Sequence, residues 1–126
     1  MKRILLVILT LVAVVSLTAC ADQYTNIDND ELREMLASDI DYYFIDVRTY
    51  EEYVDERVPG FNKNIDYYIL EDDYSLLDDL DKSRPVVIMC NSGNRSVSAS
   101  IIFYKEGFSE VYNLTDGIQG WDGETE

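Results

Sequence analysis

A cysteine and an arginine are separated by four residues in the segment Cys90-Asn91-Ser92-Gly93-Asn94-Arg95-Ser96. The apolar run Val86–Met89 before this segment predicts a short strand buried on both faces, and a helical pattern begins at Arg95. A loop between a strand and a helix start gathers backbone N–H groups, which favour anions. Such a loop favours thiolate over thiol at Cys90, and Arg95 adds a fixed positive charge for an oxyanion.

An inert, buried thiol is the structural alternative for Cys90, because unpaired cysteine is among the residue types most often buried. The chain contains no histidine, which excludes Cys-His proteases, Ser-His-Asp hydrolases and histidine-ligated zinc. A nucleophilic Cys90 would therefore be activated by backbone amides, the helix dipole and Arg95 instead of a neighbouring base. We expect neither a metal nor another cofactor.

Four segments occur in the order typical of the rhodanese family of sulfurtransferases. The active-site loop of that family resembles Cys90-x-x-Gly93-x-Arg95-Ser96, and its D-V-R motif resembles Asp46-Val47-Arg48. Its H-I-P-G-A-x-N segment resembles Val58-Pro59-Gly60-Phe61-Asn62, and its closing G-F … G-G-I-x-x-W resembles the stretch from Gly107-Phe108 through Trp121. The chain departs from the family pattern at Arg57, where histidine is usual, at Phe61 and at Asp116. These departures affect the expected substrate preference more than the chemistry, because the loop is intact.

The resemblance implies an α/β fold, a three-layer α/β/α domain with a mostly parallel central sheet. Alternating strand and helix patterns along the chain favour the same class. We assign residues 24–122 to this domain and expect the polar residues 123–126 to form a frayed tail.

The resemblance also implies a reaction in which Cys90 attacks the outer sulfur of a small anionic donor such as thiosulfate and becomes a persulfide. A thiophilic acceptor, such as cyanide or a thiol, then takes the sulfur. Five residues are expected to bind the donor: Asn91, Ser92, Gly93, Asn94 and Arg95. Three others are expected to support the loop without reacting: Asp46, Arg48 and Ser96. Glu52 is close enough in sequence to pair with Arg48.

Two other functions remain open from the residues. One is a non-catalytic module in which Cys90 carries sulfur or is reversibly oxidised. The other is a Cys-dependent phosphatase, since Cys-Arg loops also bind phosphate. Phosphatases of the Cys-x5-Arg type require arginine at position 96, which is Ser96 here.

The first nineteen residues resemble a bacterial lipoprotein signal peptide. Lys2-Arg3 form a basic start, Ile4–Val15 form an apolar core, and Leu17-Thr18-Ala19-Cys20 resembles a lipobox. We therefore predict that Cys20 is lipidated, that residues 20–23 form a short tether, and that the lipid anchors the domain to the membrane. The expected location is the bacterial cell envelope, on its extracytoplasmic side.

The formal charge of the chain is −15. Losing Lys2 and Arg3 with the signal peptide would take this charge from −15 to −17. Such an acidic protein lacks the basic face that nucleic acid requires, so no nucleic-acid partner is expected. If Cys20 carries lipid, Cys90 is the remaining thiol, and an unpaired cysteine in an exported protein indicates reactivity.

Three further patterns predict local structure. Asp28 followed by Glu31 indicates a capped helix start, and residues 42–47 read as a central strand. Residues 71–81 are rich in aspartate but lack calcium-loop spacing, so we expect a solvated acidic helix. The helix that follows Cys90 should run from Arg95 to Tyr104, with one apolar face formed by Val97, Ile101, Ile102 and Tyr104.

Overall fold

The computed structural model describes residues 23–126, so the predicted signal peptide and the lipidated Cys20 lie outside the described residues. Five strands form one sheet in the order β1-β5-β4-β2-β3, and every pairing is parallel. The strands are β1 Thr25–Ile27, β2 Tyr43–Asp46, β3 Lys63–Asn64, β4 Val86–Met89 and β5 Val111–Leu114. This sheet confirms the predicted α/β class.

Four α-helices and one 3-10 helix connect these strands. They are α1 Asn29–Ala37, α2 Tyr50–Asp55, α3 Tyr67–Leu70, the 3-10 helix Tyr74–Leu77 and α4 Asn94–Lys105. Within the described range, no helix has both the length and the apolarity needed to cross a bilayer.

Strand β4 lies at the centre of the sheet and separates two apolar cores. Val86 and Ile88 belong to the core beneath α3 and α4, whereas Val87 and Met89 belong to the core that includes Leu32 of α1. All four residues of β4 are buried, as the apolar run predicted. The alternation along one strand places helices on both faces of the sheet, which gives the three predicted layers.

Helix α1 begins as predicted. The Asp28 side chain accepts a hydrogen bond from the Glu31 N–H at 2.8 Å, and the Glu31 side chain accepts from the Asp28 N–H at 3.4 Å. This reciprocal pair satisfies two N–H groups that the first helical turn would otherwise leave without partners.

The apolar face predicted for α4 was right for Ile102 and wrong for Tyr104, and the extent of the helix was nearly right. Tyr104 is exposed, and the buried residues are Ser96, Ala99, Ser100, Ile102 and Phe103. Small residues face the sheet in the first turns because the helix packs closely against it there. Gly107 follows the end of the helix with a φ of +103°, a left-handed conformation that favours glycine.

The predicted acidic helix over residues 71–81 was also wrong. The segment contains only the 3-10 turn Tyr74–Leu77, capped by the Asp73 carboxylate, which accepts from the Ser75 N–H at 3.1 Å. Capping aspartates interrupt this segment and favour separate short turns over one helix. Leu77 anchors the turn in the core.

The polar tail, for which the sequence predicts fraying, folds back in the structure. The Glu126 carbonyl accepts from the Arg57 N–H at 3.0 Å, and the Glu126 N–H donates to the Arg57 carbonyl at 2.9 Å. Arg57, the residue that stands in place of the usual histidine, therefore holds the end of the chain.

Candidate active site

Cys90 follows β4 directly, and its sulfur is enclosed by the turn that leads into α4. The Gly93 N–H donates to the Cys90 Sγ at 3.1 Å, and the Cys90 thiol donates to the Ser96 Oγ at 3.3 Å. The Ser96 hydroxyl in turn donates to the Gly93 carbonyl at 3.2 Å. Cys90 is only 1% exposed. The sulfur therefore sits in a closed hydrogen-bonded ring of three residues.

Of the backbone N–H groups of the cysteine loop, that of Gly93 bonds to the Cys90 sulfur. Within residues 23–126, the other loop N–H groups find no acceptor: those of Asn91, Ser92, Asn94 and Arg95. Two of them begin α4, where N–H groups carry the positive end of the helix dipole. The loop therefore retains donors for an anion.

Gly93 makes this tight turn possible. Its φ of +101° lies in the left-handed region, where residues with a side chain are strained. A Cβ on Gly93 would also collide with the Thr115 carbonyl oxygen. The position therefore requires glycine for both its dihedral angle and its lack of a side chain.

The segment after β5 supports the loop from the other side, a role that the sequence reasoning missed. The Ile118 N–H donates to the Cys90 carbonyl at 2.9 Å, and the Gln119 N–H donates to the Asn91 carbonyl at 3.0 Å. Residues 115–120 form this supporting turn. Gly117 in the closing motif is the sequence feature that indicates this close contact, because a Cβ there would collide with the Cys90 and Asn91 carbonyls.

Arg95 is held by Glu52 of α2, so the predicted pairing of Glu52 with Arg48 was wrong. Two parallel hydrogen bonds join them: Nη1 to Oε1 at 2.7 Å and Nη2 to Oε2 at 2.9 Å. The Arg95 guanidinium also lies 5.5 Å from the centre of the Tyr68 ring. Hydrogen bonds from Arg95 lower the pKa of Glu52 to about 2, and the Glu52 carboxylate raises the pKa of Arg95.

Arg48 pairs instead with Asp46, and both side chains are buried. Its Nη2 donates to the Asp46 Oδ2 at 2.8 Å and to the Glu56 carbonyl at 2.5 Å. Asn64 ties the same segment together by donating to the carbonyls of Asp46 and Arg48 at 3.0 and 2.8 Å. Asp46 and Arg48 thus brace the chain between β2 and α2, and α2 carries Glu52.

A cavity of about 290 Å³ opens beside the cysteine loop. Three acidic residues, Glu52, Asp55 and Glu56, line it together with Arg48 and the loop residue Asn91. Both cations at the site are bound to carboxylates, Arg48 to Asp46 and Arg95 to Glu52. The surroundings of the loop are therefore negative, in contrast to its own N–H donors.

The sequence of this chain is similar to those of one known protein family. Residues 28–124 match the family model of the rhodanese-like domain. The chain is 32% identical over 94 residues to the putative sulfurtransferase YtwF of Bacillus subtilis, a match that covers 75% of this chain and 86% of that protein. It is also 29% identical over 106 residues to the putative sulfur carrier protein YrkF of the same species. The second match covers 84% of this chain but only 55% of YrkF.

The fold agrees with these matches. The structure is similar to the crystal structure of a rhodanese-like domain protein from Staphylococcus aureus, with a TM-score of 0.68 and 27% sequence identity. That similarity covers 79% of this chain and 93% of the other.

Proposed function

This chain belongs to the rhodanese-like domain family, and on that premise we propose that it transfers sulfane sulfur through a persulfide on Cys90. The family match and the sulfurtransferase name of a relative support sulfur transfer in general. The observation that carries the assignment to Cys90 is the position of its sulfur at the start of α4, bonded to the Gly93 N–H. In the described part of the chain, Cys90 is the free cysteine.

The proposed donor is thiosulfate or a similar small anion. The Cys90 thiolate attacks the outer sulfur, the S–S bond of thiosulfate breaks with its electron pair on the departing group, and sulfite leaves. Charge balances, because the thiolate and thiosulfate become the Cys90 persulfide anion and sulfite. A thiophilic acceptor such as cyanide then attacks the outer sulfur of the persulfide and regenerates the thiolate.

The residues that bind the donor are proposed to be Asn91, Ser92, Gly93, Asn94 and Arg95. The free N–H groups of this loop are directed donors for the oxygens of the donor and for the persulfide. Arg95 contributes its backbone N–H and a guanidinium shared with Glu52. Since Cys90 is 1% exposed, the loop has to admit the donor before attack.

A second candidate is a sulfur carrier that is loaded on Cys90 but does not turn over by itself. The nearly complete burial of Cys90 favours this reading, and one relative is named as a putative sulfur carrier protein. The two functions differ in whether a small acceptor can remove the sulfur catalytically.

The experiment is incubation of the protein with thiosulfate, followed by intact mass and sulfite measurement. A sulfur transferase gains the mass of one sulfur on Cys90, releases sulfite, and forms thiocyanate in repeated turnovers when cyanide is added. A carrier releases one equivalent of sulfite and stops. Cys90→Ser, which leaves Cys20 in place, should do neither. Phosphate release from an aryl phosphate without a persulfide would favour a phosphatase and overturn the proposal.

We also propose that the protein is anchored by lipid on Cys20 outside the cytoplasmic membrane. Support comes from the Leu17-Thr18-Ala19-Cys20 segment after the apolar run. Mass spectrometry of the mature protein should find diacylglycerol on Cys20 and no residues before it. Recovery of the unprocessed chain would contradict the proposal.

A further inference from the structure

The Glu52–Arg95 salt bridge places a full negative charge beside the one arginine of the cysteine loop. Its two hydrogen bonds are short and parallel, which is the strongest geometry available to a carboxylate and a guanidinium. Both side chains are partly shielded, with 17% of Arg95 and 34% of Glu52 exposed. Arg95 therefore presents to a donor the charge of a neutral pair and not that of a free cation.

Among residues 23–126, no neighbouring charged side chain offsets that loss of positive charge, which leaves the backbone N–H groups of the loop as the donors to an anion. The neighbouring guanidinium of Arg48 is bound to the buried carboxylate of Asp46. Asp55 and Glu56 add two further acids to the cavity beside the loop. A donor with two negative charges is consequently repelled more strongly than a donor with one, because the electrostatic energy scales with the charge of the donor.

From these contacts we propose that Glu52 determines specificity by donor charge: it masks Arg95 and makes the site prefer singly charged sulfur donors over the thiosulfate dianion. This inference rests on the proposed sulfur transfer through Cys90. Singly charged donors include thiosulfonates and low-molecular-mass persulfides, which present the same attackable outer sulfur. Glu52 acts through Arg95 and is a positioning residue.

At the pH values at which enzymes work, acid does not neutralise the Glu52 carboxylate that masks Arg95. The pKa of Glu52 is lowered to about 2, chiefly by the side-chain hydrogen bonds with Arg95, so the carboxylate stays ionised. The preference is thus a fixed property of the site.

The test compares thiosulfate, a dianion, with benzenethiosulfonate, a monoanion that releases a sulfinate from the same type of S–S bond. The measured quantity is kcat/KM for thiosulfate divided by kcat/KM for benzenethiosulfonate. Glu52→Gln removes the charge, and its amide oxygen can still accept from the Thr49 N–H at the start of α2. The ratio should rise about tenfold, the effect of one additional unit charge on the donor in a partly exposed site.

Glu51→Gln is the matched control, because it removes the same charge from the same helical turn at an exposed position. It should leave the ratio within about twofold, which separates the local effect from the overall negative charge of the protein. Glu52→Asp keeps the charge while it shortens the side chain, and its ratio should stay near that of the wild type.

Two outcomes would overturn the inference: a ratio in Glu52→Gln equal to that in Glu51→Gln, or a ratio that rises in Glu52→Asp as well. Should Glu52→Gln fail to fold, Glu52→Ala replaces it, because it also removes the charge and should raise the ratio by a similar factor. If the wild-type protein released neither sulfite nor sulfinate, the proposed function itself would be wrong. The two failures are therefore distinguishable.

Discussion

Gly117 lies so close to the carbonyl group of Cys90 that a Cβ on Gly117 would be 2.5 Å from the Cys90 oxygen. The adjacent Ile118 N–H donates to that same oxygen. The turn after β5 therefore acts as a backbone support for the cysteine loop. The close contact between this turn and the cysteine loop requires a residue without a side chain at position 117.

Gly117→Ala should move the cysteine loop and destabilise the protein. The new methyl group would meet the carbonyls of Cys90 and Asn91, which are backbone atoms that cannot rotate away. We expect a loss of about 2 kcal/mol or more in the free energy of unfolding, together with a large loss of sulfur transfer. Urea denaturation and the thiosulfate assay measure the two effects.

Gly107→Ala is the control for this substitution. Both glycines have a positive φ, +61° at Gly117 and +103° at Gly107. A Cβ on Gly107 would meet only the Lys82 Cδ at 3.6 Å, an ordinary contact with a flexible side chain. It should share the dihedral strain and keep its specific activity. Equal loss of activity in both variants would mean that strain alone, and not the contact with the loop, is responsible.

Asp46→Asn should destabilise the fold far more than a comparable change at the surface. It would leave the buried Arg48 guanidinium without its compensating charge, at a cost of about 3 kcal/mol. Asp30→Asn breaks the exposed pair with Arg33 and should cost about 0.5 kcal/mol or less. Urea denaturation of both variants checks the difference, and similar values for the two would refute a bracing role for Asp46.

The local elements of this fold could be predicted from the sequence because their causes are local. The Asp28–Glu31 capping pair and the apolar run of β4 are patterns within a few residues of each other. The succession of a strand, the cysteine loop and a helix around Cys90 is likewise set by patterns among neighbouring residues. The sequence thus predicts that Cys90 and Arg95 lie at the two ends of one loop, while their roles in sulfur transfer stay predictions.

The partners of the charged residues could not be predicted in the same way. Glu52 is four residues from Arg48 but pairs with Arg95, 43 positions away along the chain. Asp46, only two positions from Arg48, already occupies that guanidinium. The choice between the two arginines is made by tertiary packing, which sequence spacing does not report.

The Glu52–Arg95 pair should contribute stability that acid removes. Hydrogen bonds with Arg95 lower the pKa of Glu52 from 4.5 to about 2 in the folded protein. A carboxyl with a lowered folded-state pKa stabilises the fold fully above its unfolded pKa, and this contribution is lost as the pH falls from 4.5 towards 2. The wild type should therefore lose its stability advantage over Glu52→Gln across this range.

Urea denaturation of the wild type and Glu52→Gln at several pH values between about 5 and 2.5 measures this difference. The gap between the two proteins should shrink steadily as acid is added, while both lose stability through their other carboxylates. A gap that stays constant or widens would contradict the pairing of Glu52 with Arg95 in solution.

Ser96→Ala should slow persulfide formation with little structural change. The Ser96 Oγ lies 3.3 Å from the Cys90 Sγ and also donates to the Gly93 carbonyl, so it orients the sulfur within the loop. When the thiol ionises, this hydroxyl can rotate to donate to the thiolate. Loss of one such bond to the reacting atom should reduce kcat/KM about tenfold.

Ser100→Ala provides the matched comparison one helical turn later. Its hydroxyl is equally buried and donates to the Ser96 carbonyl at 2.6 Å, but it bonds to no atom of Cys90. Both variants lose one buried hydroxyl and should lose similar stability, so only Ser96→Ala should lose rate. Rapid-quench measurement of sulfite release separates the two, and equal slowing would mean that Ser96 acts only through the packing of α4.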